Sequence, residues 1–255
     1  MTQSNTATPG TWSTIAVAGK PCDVYEPPES KLPGLALIYL HGVHLQRLVD
    51  QPPFTAEFAR HGLPVICPHT GHSWWTNRIC AEFDPTLTAE RHVLDNIVPW
   101  LAREWGVKPP GIGIFGTSMG GQEALRFAYK FPNTFPVAVG LSPAIDYWLR
   151  MKDSYDDPLW QMYDEPEAAR QDSATLHVHP LNWPRNVWYC CDPTDLRWHE
   201  SADRLRMKLA ALGIPQQYDL ETTGGGHGFA YYNRMAPTAI NFLVERLQAE
   251  QRRVV

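Results

Sequence analysis

The stretch GIGIFGTSMGGQEALRFAYKF, residues 111–131, passes from an apolar run, Ile112 to Phe115, into a helix-like run, Gly121 to Phe131, with almost no loop between them. A short, continuously apolar run closed by glycine reads as a buried strand. The intervening Gly116-Thr117-Ser118-Met119-Gly120-Gly121 is then a tight strand-to-helix turn with a serine at its tip. Side chains at Gly116 and Gly120 would collide with the neighbouring elements, and the turn lifts the Ser118 hydroxyl out of the sheet. It also aims the helix N-terminus, including the Met119 N–H, at an oxygen reacting there.

Outward from this turn, short apolar runs alternate with longer amphipathic ones. Trp12–Val17 and Lys20–Tyr25 pair as a hairpin around Ala18-Gly19, ended by Pro27-Pro28, since proline removes a ladder donor. Strands are predicted over Leu35–Leu40, Leu63–Cys67, Ile112–Phe115, Pro136–Leu141, 187–191 and 217–222. Helices are predicted over Phe54–His61, Thr88–Trp105, Gly121–Phe131, 198–212 and 235–250. Thr86 or Thr88 caps the second of these, in which Val93, Ile97, Leu101 and Trp105 recur at spacing four. Alternation of this kind implies parallel β-α-β units with right-handed crossovers. LALIYL, IGIF and VAVGL are apolar throughout, as strands buried on both faces should be. The expected fold is α/β: a mostly parallel open sheet of about eight strands with helices on both faces. A single domain is expected over residues 10–250, with residues 1–9 as a flexible lead-in.

Bulk properties narrow the function. The 255 residues carry a formal charge of −5 and no Lys/Arg-rich run, which argues against nucleic-acid binding. No stretch approaches the roughly 18 apolar residues of a membrane span. The start MTQSNTATPGTW lacks the basic and apolar regions of a secretory signal, so the chain reads as cytoplasmic, although one whose signal had been removed would read the same. Five cysteines without a C-x-x-C spacing read as reduced thiols, with Cys190-Cys191 as strand residues.

In open α/β sheets ligands bind beyond the carboxyl ends of the strands. Ser118 follows strand 112–115. An acidic residue follows strand 187–191, in Cys191-Asp192-Pro193-Thr194-Asp195. His227 follows strand 217–222, after three glycines, and His41-Gly42-Val43-His44 follows strand 35–40. A hydroxyl is a poor nucleophile at neutral pH and needs a base, which in turn needs a partner to fix its tautomer. Imidazole and carboxylate suit those roles. G-x-S-x-G alone arises by chance in about one chain in ten of this length. Its weight comes from the strand and helix around it and from partners that follow in the order Ser, Asp, His.

With these residues in view, the chain resembles an α/β-hydrolase over roughly residues 10–250. GTSMGGQEAL and the short C-terminal half resemble the esterase D-like branch of S-formylglutathione hydrolases, feruloyl esterases and related carboxylesterases. The resemblance implies Ser118 as nucleophile, His227 as general base, and an oxyanion hole of the Met119 and Val43 N–H groups. The branch's strand–Gly-x-x-Asp reads here with Asp192 in the glycine place. That register makes Asp195 the acid, with Asp192 and then Asp146 as alternatives.

His41 is expected to brace the oxyanion loop through its ring nitrogens. His44 either reaches the site or stays at the surface. His69-x-x-His72 and His177-x-His179 lack a partner set matched to zinc, and the chemistry needs no cofactor and no metal. The aromatic segment 144–186 replaces a short connection, and long loops of this kind are usually functional. It is expected to form a small cap or pocket wall, with Trp148, Trp160 and the Trp74-Trp75 pair candidates to line a site for aryl or medium acyl groups. The resulting expectation is a serine carboxylesterase acting on small soluble esters. A thioesterase, peptidase or acyltransferase would use the same groups, and a non-catalytic binding member of the fold is the reading from another class.

Overall fold

The computed structural model describes residues 10–253, so the predicted lead-in, residues 1–9, lies outside the described residues. Eight strands form one sheet in the order β1-β2-β4-β3-β5-β6-β7-β8. They are β1 (Thr11–Val17), β2 (Lys20–Glu26), β3 (Ala36–Leu40), β4 (Val65–Pro68), β5 (Ile112–Thr117), β6 (Val137–Leu141), β7 (Asn186–Cys190) and β8 (Gln217–Asp219). β1 and β2 form the antiparallel hairpin, and β2 pairs antiparallel with β4. From β4 to β8 every pairing is parallel. This is the mostly parallel open sheet of eight strands that the alternation predicted.

The central strands are buried on both faces because each face carries helices. On β3, Ala36, Ile38 and Leu40 enter one core while Leu37 and Tyr39 enter the other. The first core is closed by α2 (Ala89–His92), α3 (Val98–Glu104), α4 (Met119–Lys130) and α7 (Leu196–Ala211). The second is closed by α1 (Pro52–His61) and α8 (Phe229–Gln251). Between β6 and β7 run the short helices α5 (Leu149–Asp153) and α6 (Pro166–Gln171).

Boundaries differ from the sequence reading where local hydrogen bonding overrides pattern. The helix predicted over 88–105 is capped by the Thr88 hydroxyl, which accepts from the Arg91 N–H at 3.2 Å. One π-helical stretch, Val93–Ile97, divides it into α2 and α3. β8 stops at Asp219, not 222, because the Asp219 carboxylate accepts the Glu221 and Thr222 N–H groups and turns the chain. α8 begins at Phe229 instead of 235, and its extra turns bury Tyr231 and Tyr232.

The aromatics of segment 144–186 are mostly used internally. Tyr147 stacks on Trp74 at 4.9 Å, and the Tyr163 hydroxyl donates to Asp172 at 2.7 Å. Asp172 ties the segment to α4 through Arg126, whose fully buried guanidinium also reaches Glu90 at 2.7 Å and Glu123 at 2.5 Å. Burial drives the Glu123 carboxyl up, against the pull of Arg126. Removing the one guanidinium that three carboxyl groups share leaves Glu123 buried without a cation, while Glu90 keeps Lys130 and Asp172 keeps His177, and breaking such a cluster costs far more than the intact cluster contributes. Arg126→Ala is expected to lower the unfolding free energy by about 3–5 kcal/mol. Urea denaturation at neutral pH reads it, and a change inside the ordinary surface range of about 0.5 kcal/mol contradicts it.

Candidate active site

The predicted turn takes the form its glycines require. Ser118 has φ 54° and ψ −114°, a left-handed conformation rarely held by a residue with a side chain. A Cβ on Gly120 would lie 2.0 Å from the Leu40 carbonyl oxygen, and one on Gly116 would lie 2.3 Å from Gly120 itself. α4 therefore touches the ends of β3 and β5 backbone to backbone. The Ser118 N–H donates to the Leu141 carbonyl at 2.8 Å, and the Ser118 carbonyl accepts from Gln122 and Ala144 at 3.0 Å each.

Three residues far apart in sequence meet at this tip. His227 Nε2 is 2.8 Å from Ser118 Oγ, and His227 Nδ1 is 2.5 Å from Asp195 Oδ2. Asp195 occupies the N-cap position of α7, yet its side chain makes no cap hydrogen bond because it is turned to the histidine. Asp146 is instead paired with Arg204. Asp192, the nearer competitor, faces away from the imidazole. One of its oxygens accepts the Thr194 N–H and hydroxyl, both at 2.8 Å, and the other accepts Gly224 N–H at 2.6 Å and Gly226 N–H at 2.9 Å. Burial works to raise its pKa, but the backbone donors of Thr194, Gly226 and Gly224 outweigh it and hold the carboxyl below the usual carboxylate range.

Val43 stands in the loop after β3, next to Gly42, whose added Cβ would lie 3.3 Å from Ser118 Cβ, and Met119 follows Ser118 at the first position of α4. Neither N–H is a donor in the loop and turn hydrogen bonds of the described residues. His41 braces this loop. Its Nε2 accepts the Thr70 N–H at 3.2 Å, so Nδ1 carries the proton and donates to the Gly42 carbonyl at 3.0 Å. Burial depresses its pKa to about 4, which keeps the ring neutral at pH 7. The Trp75 indole N–H donates to the His41 carbonyl at 3.1 Å.

A cleft of about 20 Å³ opens over Ser118, with His44, Gln46, Thr117, Phe229 and Tyr232 in its wall beside the loop and the histidine. Trp148 and Trp160 are not brought to it. The Trp160 indole N–H is bonded to the Met151 and Ser154 carbonyls and its ring stacks on Tyr155, while Trp148 lies against Asp146 and Lys152. Trp74 and Trp75 are core residues. The remaining histidines of the paired motifs contact carboxylates or backbone: His69 with Asp23, His72 with Glu82, His177 with Asp172, and His179 with the Leu181 N–H. Phe229 and Tyr232 were missed in the sequence because α8 was started too late. Once α8 begins at Phe229, both fall on its first turn, just beyond His227.

With the geometry established, comparison with known proteins gives the class. A family model described as a putative esterase matches residues 21–238, and the chain belongs to that esterase family. The diacylglycerol acyltransferase/mycolyltransferase Ag85C of Mycobacterium avium is 28% identical over 168 residues, 58% of this chain and 47% of that protein. The chain thus matches about half the length of that relative. In fold it is similar to an S-formylglutathione hydrolase from Agrobacterium tumefaciens, with TM-score 0.75, 16% identity and coverage of 95% and 98% of the two chains. It is also similar to the fluorophosphonate-binding serine hydrolase FphF of Staphylococcus aureus, with TM-score 0.73, 18% identity and coverage of 93% and 99%.

Two outcomes follow from this geometry. Gly120→Ala forces a methyl into the Leu40 carbonyl and is expected to cost about 3 kcal/mol or more, measured as a lowered melting temperature with loss of near-ultraviolet dichroism. Asp192 is held ionised, so its stabilising effect is present above the unfolded carboxylate pKa of about 3.9 and is lost as pH falls toward the lower folded value. The stability gap between wild type and Asp192→Ala, from urea melts, should therefore be widest at pH 6 and narrow by pH 3. A gap independent of pH contradicts this.

Proposed function

We propose that this chain is a serine hydrolase that cleaves carboxylic esters of small molecules through Ser118, His227 and Asp195. The observation that carries the reading is the unbroken relay from Ser118 Oγ to His227 Nε2 and from His227 Nδ1 to Asp195 Oδ2. Ser118 Oγ attacks the acyl carbon and its proton passes to His227 Nε2. Asp195 holds the imidazole with Nδ1 protonated and stabilises the imidazolium as it forms. The Val43 and Met119 N–H groups receive the oxyanion, helped by the N-terminus of α4. His227 then gives its proton to the leaving alkoxide, and the acyl group stays on Ser118. A water deprotonated by the same nitrogen attacks the acyl-enzyme, and the acid departs as Ser118 is reprotonated. Every proton has a carrier among these residues, so the cycle needs no cofactor.

Segment 144–186 is assigned to the wall outside the cleft within one domain spanning residues 10–250. The name of the Mycobacterium relative favours a second outcome, in which an alcohol replaces water in the second half-reaction and a new ester is formed. The first half-reaction is the same in both.

With p-nitrophenyl acetate as substrate, Ser118→Ala should abolish turnover and labelling by a fluorophosphonate probe. Asp195→Asn should retain the fold and lower kcat on the order of 10²–10⁴-fold. Activity surviving in Ser118→Ala would overturn the assignment. Chromatography of products formed with and without added alcohol separates hydrolysis from transfer.

A further inference from the structure

The loop that carries His227 is built from the most permissive residues available. Gly225 (φ 104°), Gly226 (φ 77°) and Gly228 (φ 158°) surround the histidine, and Gly224 precedes them. Glycine loses more conformational freedom on folding than any other residue, so a free loop of this composition would spread the imidazole over many positions. A base has to be held within hydrogen-bond reach of the hydroxyl, and small misplacements are costly in rate. Something must therefore restrain this loop.

We propose that Asp192 is the positioning residue that does so, latching the His227 loop to the turn that presents Asp195. The proposal rests on the Ser118–His227–Asp195 reading. A carboxylate offers about four lone-pair sites, and four hydrogen bonds occupy this one. The oxygen Oδ2 takes two N–H groups from the histidine loop, Gly224 at 2.6 Å and Gly226 at 2.9 Å. The oxygen Oδ1 takes the N–H and hydroxyl of Thr194, the residue just before Asp195, both at 2.8 Å. One oxygen thus serves the loop that carries the imidazole and the other the turn that carries its carboxylate partner. Asp192 is fully buried, so water does not compete for these bonds, and hydrogen bonds to an ionised acceptor are the stronger kind. No other residue type repeats the arrangement. Asparagine turns an NH₂ group toward one pair of donors, and glycine or alanine leaves all four donors without an acceptor.

The test compares wild type, Asp192→Asn, Asp192→Ala and Ser118→Ala. Fluorophosphonate end-point labelling counts folded sites, and kcat is expressed per labelled site. The latch predicts a fall in kcat per site of about 10–100-fold in Asp192→Ala with KM within about twofold, slower labelling, and a smaller fall in Asp192→Asn. If Asp192 only supports the fold, labelled sites and melting temperature decline while kcat per site stays at the wild-type value, and the proposal is overturned. Should the variants not fold, wild type still decides. Amide exchange should be at least tenfold slower at Gly224 and Gly226 than at Gly225, and equal rates overturn the latch. Turnover remaining in Ser118→Ala would instead remove the catalytic reading, leaving the exchange result to stand for the loop alone.

Discussion

The structure depends on one close approach, that of the α4 backbone to the carbonyl end of β3. Gly116 and Gly120 leave no room for a methyl between them, and Gly120 rests directly on the Leu40 carbonyl. With no side chain as spacer, the chain must reverse from strand to helix within one residue. Ser118 takes up the whole change, which is why its φ is positive. A conformation of this kind costs of order 1–3 kcal/mol and persists only where the surroundings over-determine it. Here the surroundings are the Leu141, Gln122 and Ala144 hydrogen bonds on either side of the serine peptide units. The strain and the placing of the hydroxyl at the sheet edge have the same cause.

Two of the proposed catalytic groups show a second cost. Ser118 and Asp195 both stand at helix N-cap positions, on α4 and α7, and both are residue types that cap well. Neither caps its helix, because each side chain is engaged by His227. Each forgone cap is worth about 0.5–2 kcal/mol. In exchange, two helix N-termini are left uncapped beside the proposed reacting groups, and in the proposed reaction the one at α4 would supply partial positive charge to the oxyanion. Elsewhere in the molecule Thr88 and Asp157 cap in the ordinary way, while Ser173 stands at an N-cap position without capping.

Much of this was legible in the sequence. The central strands were legible because burial on both faces leaves continuous apolar runs, and the turn because its glycines have no other physical use at that spacing. The order Ser, Asp, His, after β5, β7 and β8 in turn, pointed to the partners. The acid was harder to place. Asp192 and Asp195 are separated by two residues, both lie past β7, and sequence alone does not say which carboxylate turns toward the imidazole. The decision is made by hydrogen-bond donors from residues 224 and 226, more than thirty positions away, which occupy Asp192 and leave Asp195 to the histidine. The tryptophans misled for a related reason. An aromatic-rich insertion looks the same in composition whether its rings face a ligand or each other, and here Trp160 stacks on Tyr155 while Tyr147 covers Trp74.

The two sides of the cleft are restrained by opposite means. The oxyanion loop is held from beneath by the core: His41 is kept neutral by burial, its two ring nitrogens hold the loop to Thr70 and Gly42, and Trp75 pins its carbonyl. Loosening that side would require opening the packed core, a cooperative and expensive event. The histidine side is held mainly by hydrogen bonds to two carboxylates, Asp192 to the loop backbone and Asp195 to the ring, with Trp198 and Tyr232 beside the imidazole. Such a tether opens at the cost of a few local bonds, well below that of global unfolding. The asymmetry fits the chemistry proposed. The oxyanion donors serve best when they do not move, whereas the imidazole faces the hydroxyl, then the leaving alkoxide, then water, from a loop fastened just before it at Gly224 and Gly226.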